Sequence, residues 1–67
     1  MTIQPCDLPT HGATLVVDTY NHTTWTVEQR EQGGYYAMCD AYDMVASSAD
    51  EMCSKLNELE AVIVGWE

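Results

Sequence analysis

Cys6, His11, His22, Cys39 and Cys53 are the residues whose types suit metal or nucleophilic chemistry. A structural zinc site normally draws on two tight ligand pairs, such as Cys-x-x-Cys or His-x-x-x-His, because each pair fixes half of the tetrahedron locally. Neither pair occurs, so no metal site is expected, and Cys39 and Cys53 read as small core hydrophobes. A nucleophile needs a base and a cradle for the charge it creates. The chain has no nucleophile elbow, phosphate loop or dinucleotide fingerprint, and Gly33-Gly34 lacks the following lysine or helix start that a phosphate site uses. Asp40 and Asp43 are spaced as an acid–base couple could be. With 67 residues, however, the chain has little room to desolvate one carboxyl selectively, so the pair reads as a solvated acidic rim. No enzymatic activity, metal or cofactor is expected.

Charge is the stronger signal. Eleven acidic residues stand against Arg30 and Lys55, a formal net charge of -9. The acids are scattered rather than run together, and 46% of the residues are hydrophobic, which is the composition of a folded domain and not of an acidic tail. Such a field repels phosphate backbones and accelerates encounter with basic surfaces, although solubility alone is also served by it. Tyrosine anchors interfaces by combining a large apolar area with a polar tip. Tyr35, Tyr36 and Tyr42 are flanked by Glu31, Asp40 and Asp43, with Glu28 just upstream. Those seven residues form the expected partner-binding set on the sheet side. Asp50, Glu51 and Glu58 form an alternative acidic track on a helix. Trp25 and Trp66 are assigned to the core.

The elements that would position these residues follow from local pattern. Residues 1–12 contain both prolines and read as an irregular lead-in packed through Ile3 and Leu8. Residues 13–20 are β-branched and strand-like. Asn21-His22 suits a tight turn in which Asn takes positive φ. Residues 23–31 alternate, with Trp25 and Val27 on one face and Thr24, Thr26, Glu28 and Arg30 on the other. After Gln32-Gly33-Gly34, residues 35–46 fit two periods. Alternation suits a strand through about Cys39, whereas Met38, Ala41, Tyr42 and Val45 match a helical stripe. Ser48-Ala-Asp-Glu51 reads as a capping box opening a helix over about 48–60, with Ala49, Met52, Cys53, Leu56 and Leu59 on its apolar face. Ala61-Val-Ile-Val-Gly-Trp66 reads as a last short strand. The expected fold is α+β: one domain over 1–67, with a small antiparallel sheet of three to four strands and one helix on one face.

An odd cysteine count points to free thiols in a reducing cytoplasm. The first residues lack the charged and apolar regions of a signal peptide, and Ala61-Val-Ile-Val64 is too short to span a bilayer, so no membrane association is expected.

In size, charge and lack of catalytic motifs, the whole chain resembles the small acidic anti-CRISPR proteins encoded by phages. Several of these occupy the nucleic-acid channel of a CRISPR effector in place of DNA. A second, local resemblance covers residues 26–60. Gly33-Gly34-Tyr35-Tyr36-Ala37, then Asp40 through Ala46, then Ser48-Ala-Asp-Glu51 before a helix, is similar to HicB-like antitoxins, which block a small RNA-cleaving toxin. The chain departs from that pattern in lacking the proline before Asp40 and the Gly-Asp-Thr of the loop. The first resemblance implies an inhibitor that binds the basic nucleic-acid-binding surface of a protein partner as a monomer or small homo-oligomer, without touching nucleic acid itself. An antitoxin or an acidic assembly subunit are the alternatives.

Overall fold

The computed structural model describes residues 2–10 and 12–67. His11, weighed above as a ligand, therefore lies outside the described residues. The described residues fold into one five-stranded antiparallel sheet and one α-helix, and the lead-in expected to be irregular carries a short 3-10 turn at Pro5–Asp7. In chain order the elements are β1 (Thr14–Asp18), β2 (Thr24–Gln29), β3 (Tyr35–Met38), β4 (Asp43–Ala46), α1 (Ala49–Glu58) and β5 (Val62–Trp66). Three hairpins join β1 to β4, and α1 then carries the chain back so that β5 pairs with β1, giving the order β4-β3-β2-β1-β5. Among the described residues, no helix is long and apolar enough to cross a membrane.

The α+β expectation holds, with one strand more than the sequence pattern resolves. The extra strand is β4. Residues 43–46 pair with β3 through Tyr36↔Val45 and Ala37↔Met44, so the helical stripe through Met38, Ala41, Tyr42 and Val45 is not used. A four-residue segment satisfies either period, and only pairing with β3 selects between them. Once paired, Met44 and Ala46 turn toward the core while Asp43 and Val45 face solvent.

The turns set the registers. In the first hairpin the amide of His22 donates to the Thr19 carbonyl at 2.9 Å. The residue in the left-handed region is His22, at φ 63°, and not Asn21 as expected. Asn21 instead uses its side-chain oxygen to accept from the buried Thr19 hydroxyl. In the second hairpin Gly33 and Gly34 take φ of 96° and 81°, a conformation that residues with a Cβ rarely adopt. The Arg30 amide donates to the Gly34 carbonyl at 3.0 Å and closes the turn.

One face of the sheet is covered. Leu15, Val17, Trp25, Val27, Ala37 and Ala46 pack under Met52, Cys53 and Leu56 of α1, and Ile3 and Leu8 of the lead-in complete this core. Asn57 ties the lead-in down: it accepts from the Ile3 amide at 2.9 Å and donates to the Ile3 carbonyl at 3.1 Å. Trp25 is buried as expected. Trp66 is not a core residue: it is 56% exposed, because it lies on the edge strand beyond the reach of α1.

The helix begins where the capping box places it, but only half of the box forms. Ser48 Oγ accepts from the Glu51 amide at 3.2 Å. The Glu51 carboxylate does not return to Ser48; it accepts from the amide and hydroxyl of Ser47 at 3.1 and 2.7 Å. These two bonds, led by the hydroxyl, and Lys55 beyond them hold the Glu51 carboxyl below its ordinary value of 4.5. At the other end Leu59 caps the helix and Glu60 takes φ 53°, with the Glu60 amide bonded to the Asn57 carbonyl and that of Ala61 to Leu56. This paired closure ends α1 at Glu58, slightly short of the expected boundary near 60. Ser48→Ala is expected to lower stability by about 1 kcal/mol in a chemical melt. An unchanged midpoint would show that the cap contributes nothing. Because the Glu51 value is lowered on folding, its contribution is present above the ordinary glutamate value and is lost as pH falls through the lower, folded one.

Candidate functional site

The uncovered face of the sheet carries the best-formed part of the expected site. Strand alternation places Thr14, Val16 and Asp18 of β1, Thr24, Thr26 and Glu28 of β2, Tyr36 and Met38 of β3, and Asp43 and Val45 of β4 on the side away from α1. Glu28 stands directly across from Tyr36, and Asp43 across from Met38. The Tyr36 hydroxyl donates to Asp43 Oδ2 at 3.3 Å. Its pKa is raised, first by partial desolvation on the sheet and then by Asp43 and Glu28. The phenol therefore stays protonated, an aromatic donor set between two carboxylates.

The other expected residues are spread around this face. Tyr35, next in sequence to Tyr36, points to the opposite side and packs against the core. It cannot share a surface with Tyr36, because successive residues of a strand face opposite ways. Glu31 lies in the turn between β2 and β3, beside Arg30. Asp40 and Tyr42 lie in the turn between β3 and β4, which is closed by the Cys39 amide donating to the Tyr42 carbonyl at 2.9 Å. Tyr42 is 72% exposed and stands between two clefts. One, of about 570 Å³, is lined on the open face by Thr24, Thr26, Met38 and Asp40. The other, of about 380 Å³, lies toward α1 and reaches Trp25, Met44, Lys55 and Leu59. Asp50, Glu51 and Glu58 are exposed on α1, and Glu51 is committed to holding Ser47. The expected sheet-side set thus resolves into a core of Glu28, Tyr36 and Asp43, with Asp40 and Tyr42 at its margin.

Asp18 was not among the expected site residues, yet it belongs to the same face. It accepts from the Thr24 hydroxyl at 2.7 Å. Its signal in the sequence is its place in a strand whose alternate residues Leu15 and Val17 are apolar. Ideal strand spacing and rise place Asp18, Glu28 and Asp43 at the corners of a triangle with sides of roughly 12–16 Å.

Hydrogen bonds orient several of the acids without neutralising them. Asp18 is held by a threonine hydroxyl, Asp43 by a tyrosine hydroxyl, Glu51 by a serine, and Asp7 by the Gln4 amide at 2.9 Å. Every one of these donors is uncharged, so the carboxylates are fixed in position while their charge remains available.

The described residues bring together no group of three or more His, Cys, Asp or Glu side chains able to hold a metal ion. All three thiols are free: Cys6 is exposed, Cys39 half-buried and Cys53 buried. Burial, followed by Asp50, Asp7 and Cys6, pushes the Cys53 thiol up. A thiol reagent on the native protein is expected to modify Cys6 fastest and Cys53 slowest, and three thiols should titrate after unfolding without reductant. Recovery of a single thiol would reveal a disulfide and overturn this assignment.

No protein-family model matches the chain, and no curated protein or solved structure is significantly similar to it.

Proposed function

We propose that this chain is a protein inhibitor that occupies the basic nucleic-acid-binding surface of a partner by charge mimicry, in the manner of an anti-CRISPR protein blocking target-DNA binding by a CRISPR effector. The observation that carries the reading is the open sheet face, where Asp18 and Asp43 are held by uncharged hydroxyl donors, Glu28 stands across from Tyr36, and no strand or helix among the described residues covers them. A basic groove built for DNA presents Arg and Lys in a fixed array, and a rigid array of carboxylates meets it without first losing conformational entropy. Sides of roughly 12–16 Å match the scale of a DNA groove, whose two walls carry phosphates. Tyr36 and Tyr42 add aromatic area at and beside the same face, and Arg side chains stack on such rings.

The reading is tested by adding the chain to guide-loaded CRISPR effector complexes and following target-DNA binding by mobility shift. Loss of the effector–DNA band, with no shift of DNA by the chain alone, is the expected result. The inhibition should weaken steeply as salt rises. Inhibition insensitive to salt would remove charge mimicry as the mechanism.

A further inference from the structure

The sheet has two edges, and they are finished differently. At β4 the strand begins with the charged Asp43 and α1 packs against it. At β5 neither protection is present. Val62, Ile63, Val64 and Trp66 are 50%, 42%, 59% and 56% exposed, and the strand contains no charged residue. Its register with β1 places Ile63 and Trp66 opposite Val17 and Leu15, on the helix side, and Val62 opposite Asp18, on the open side. Apolar side chains are therefore exposed on both faces of one edge strand, and its outer backbone groups have no neighbouring strand. Natural sheets normally blunt such an edge with lysine, proline or a covering element. Here the one device is a bulge at Val64, where two steps along β5 match one step from Val16 to Val17.

We infer that β5 is a docking edge that accepts an extended segment of a protein partner, apolar at alternate positions and carrying Lys or Arg at its ends. The flanking charges select the occupant. Glu60 and Glu67 bracket the strand, and Asp18 lies beside Val62. A second copy pairing antiparallel through β5 would bring Glu67 of one chain close to Glu60 of the other, within two bodies that each carry -9. A segment with basic ends turns the same acids into attractions. Backbone pairing would supply the affinity, while the apolar residues on the two faces would select the side chains. Asp18 borders both this edge and the open face, but Glu28 and Asp43 lie on β2 and β4, away from β5, so reversing those two tests the inhibitor reading without touching this inference.

The test uses the full chain and a blocked peptide of alternating valine and threonine with two lysines at each end, beside a counterpart ended in glutamates. Trp25 is already buried, so a blue shift of tryptophan emission reports Trp66. The lysine-ended peptide is expected to shift Trp66 emission and to slow amide exchange in β5. The glutamate-ended peptide should bind at least about 10-fold more weakly. Val64→Lys should abolish both signals while leaving the thermal melt nearly unchanged, since Val64 is exposed. Glu28→Lys with Asp43→Lys should retain them, which separates this edge from the open face. Equal binding of the two peptides, protection that falls outside β5, or a concentration-dependent dimer that Val64→Lys abolishes would each overturn the inference, the last by showing a second copy as the occupant.

Discussion

Gly34→Ala is expected to remove a large part of the domain's stability, about 3 kcal/mol or more, whereas Gly33→Ala should cost about 1–2 kcal/mol. Both glycines lie in the left-handed region, so both variants carry the same conformational penalty. They differ in what a methyl group would meet. At Gly33 the space is open. At Gly34 the new Cβ would collide with the Ala46 carbonyl oxygen and come within 3.3 Å of the Ser47 Cα. Both are backbone atoms at the end of β4, and they have no rotamer by which to withdraw. The Tyr35↔Ala46 pair would have to open, immediately before the Ser48 cap that starts α1. A domain of this size has a total stability of roughly 3–10 kcal/mol, so such a loss leaves a chain at or near unfolding. Urea melts of the two variants read the difference directly. Equal midpoints would show that β4 moves away without penalty.

The second large effect concerns the open face. On the proposed function, Glu28→Lys together with Asp43→Lys should weaken binding to a basic partner by about 100-fold or more at low salt, because each reversal replaces an attraction with a repulsion. The residual binding should also lose most of its salt dependence. Asp50→Lys with Glu58→Lys is the comparison on α1 and should have the smaller effect. Glu51 is unsuitable for that comparison, since reversing it would also release Ser47 and weaken the helix start. Stability should not fall in the open-face variant. Replacing two negative charges with two positive ones on a body at -9 relieves self-repulsion, and the loss of the Tyr36–Asp43 bond is a loss at an exposed site. Affinity and competition with the partner's nucleic acid, measured at two salt concentrations, give the answer. Parent-like binding by both variants would mean that the acids serve solubility and that the interface is apolar.

The elements with strong local signals could be read from sequence alone. The alternation of Trp25 and Val27 with Thr24, Thr26 and Glu28 defined β2 and its buried face, and Ser48 with the apolar series from Ala49 to Leu59 defined α1. Burial of Ile3 and Leu8 followed from their isolation in a polar lead-in. These are properties of neighbours within one or two turns, where period and capping act. The status of residues 43–46 was settled only by pairing with β3, since a short segment satisfies both periods. Which of Tyr35 and Tyr36 faces the core was decided by the register, because a shift of one residue exchanges the two faces. Trp66 shows the limit most clearly. Its apolar strand has the same local pattern whether it lies in the middle of a sheet or at an edge. Strand order decided the matter, placing β5 outside β1 and beyond α1, and strand order depends on which distant segments pair. The net charge was fully present in the composition. Which carboxylates stand together on an uncovered face was decided by the registers that bring Asp18, Glu28 and Asp43 from three strands onto one surface.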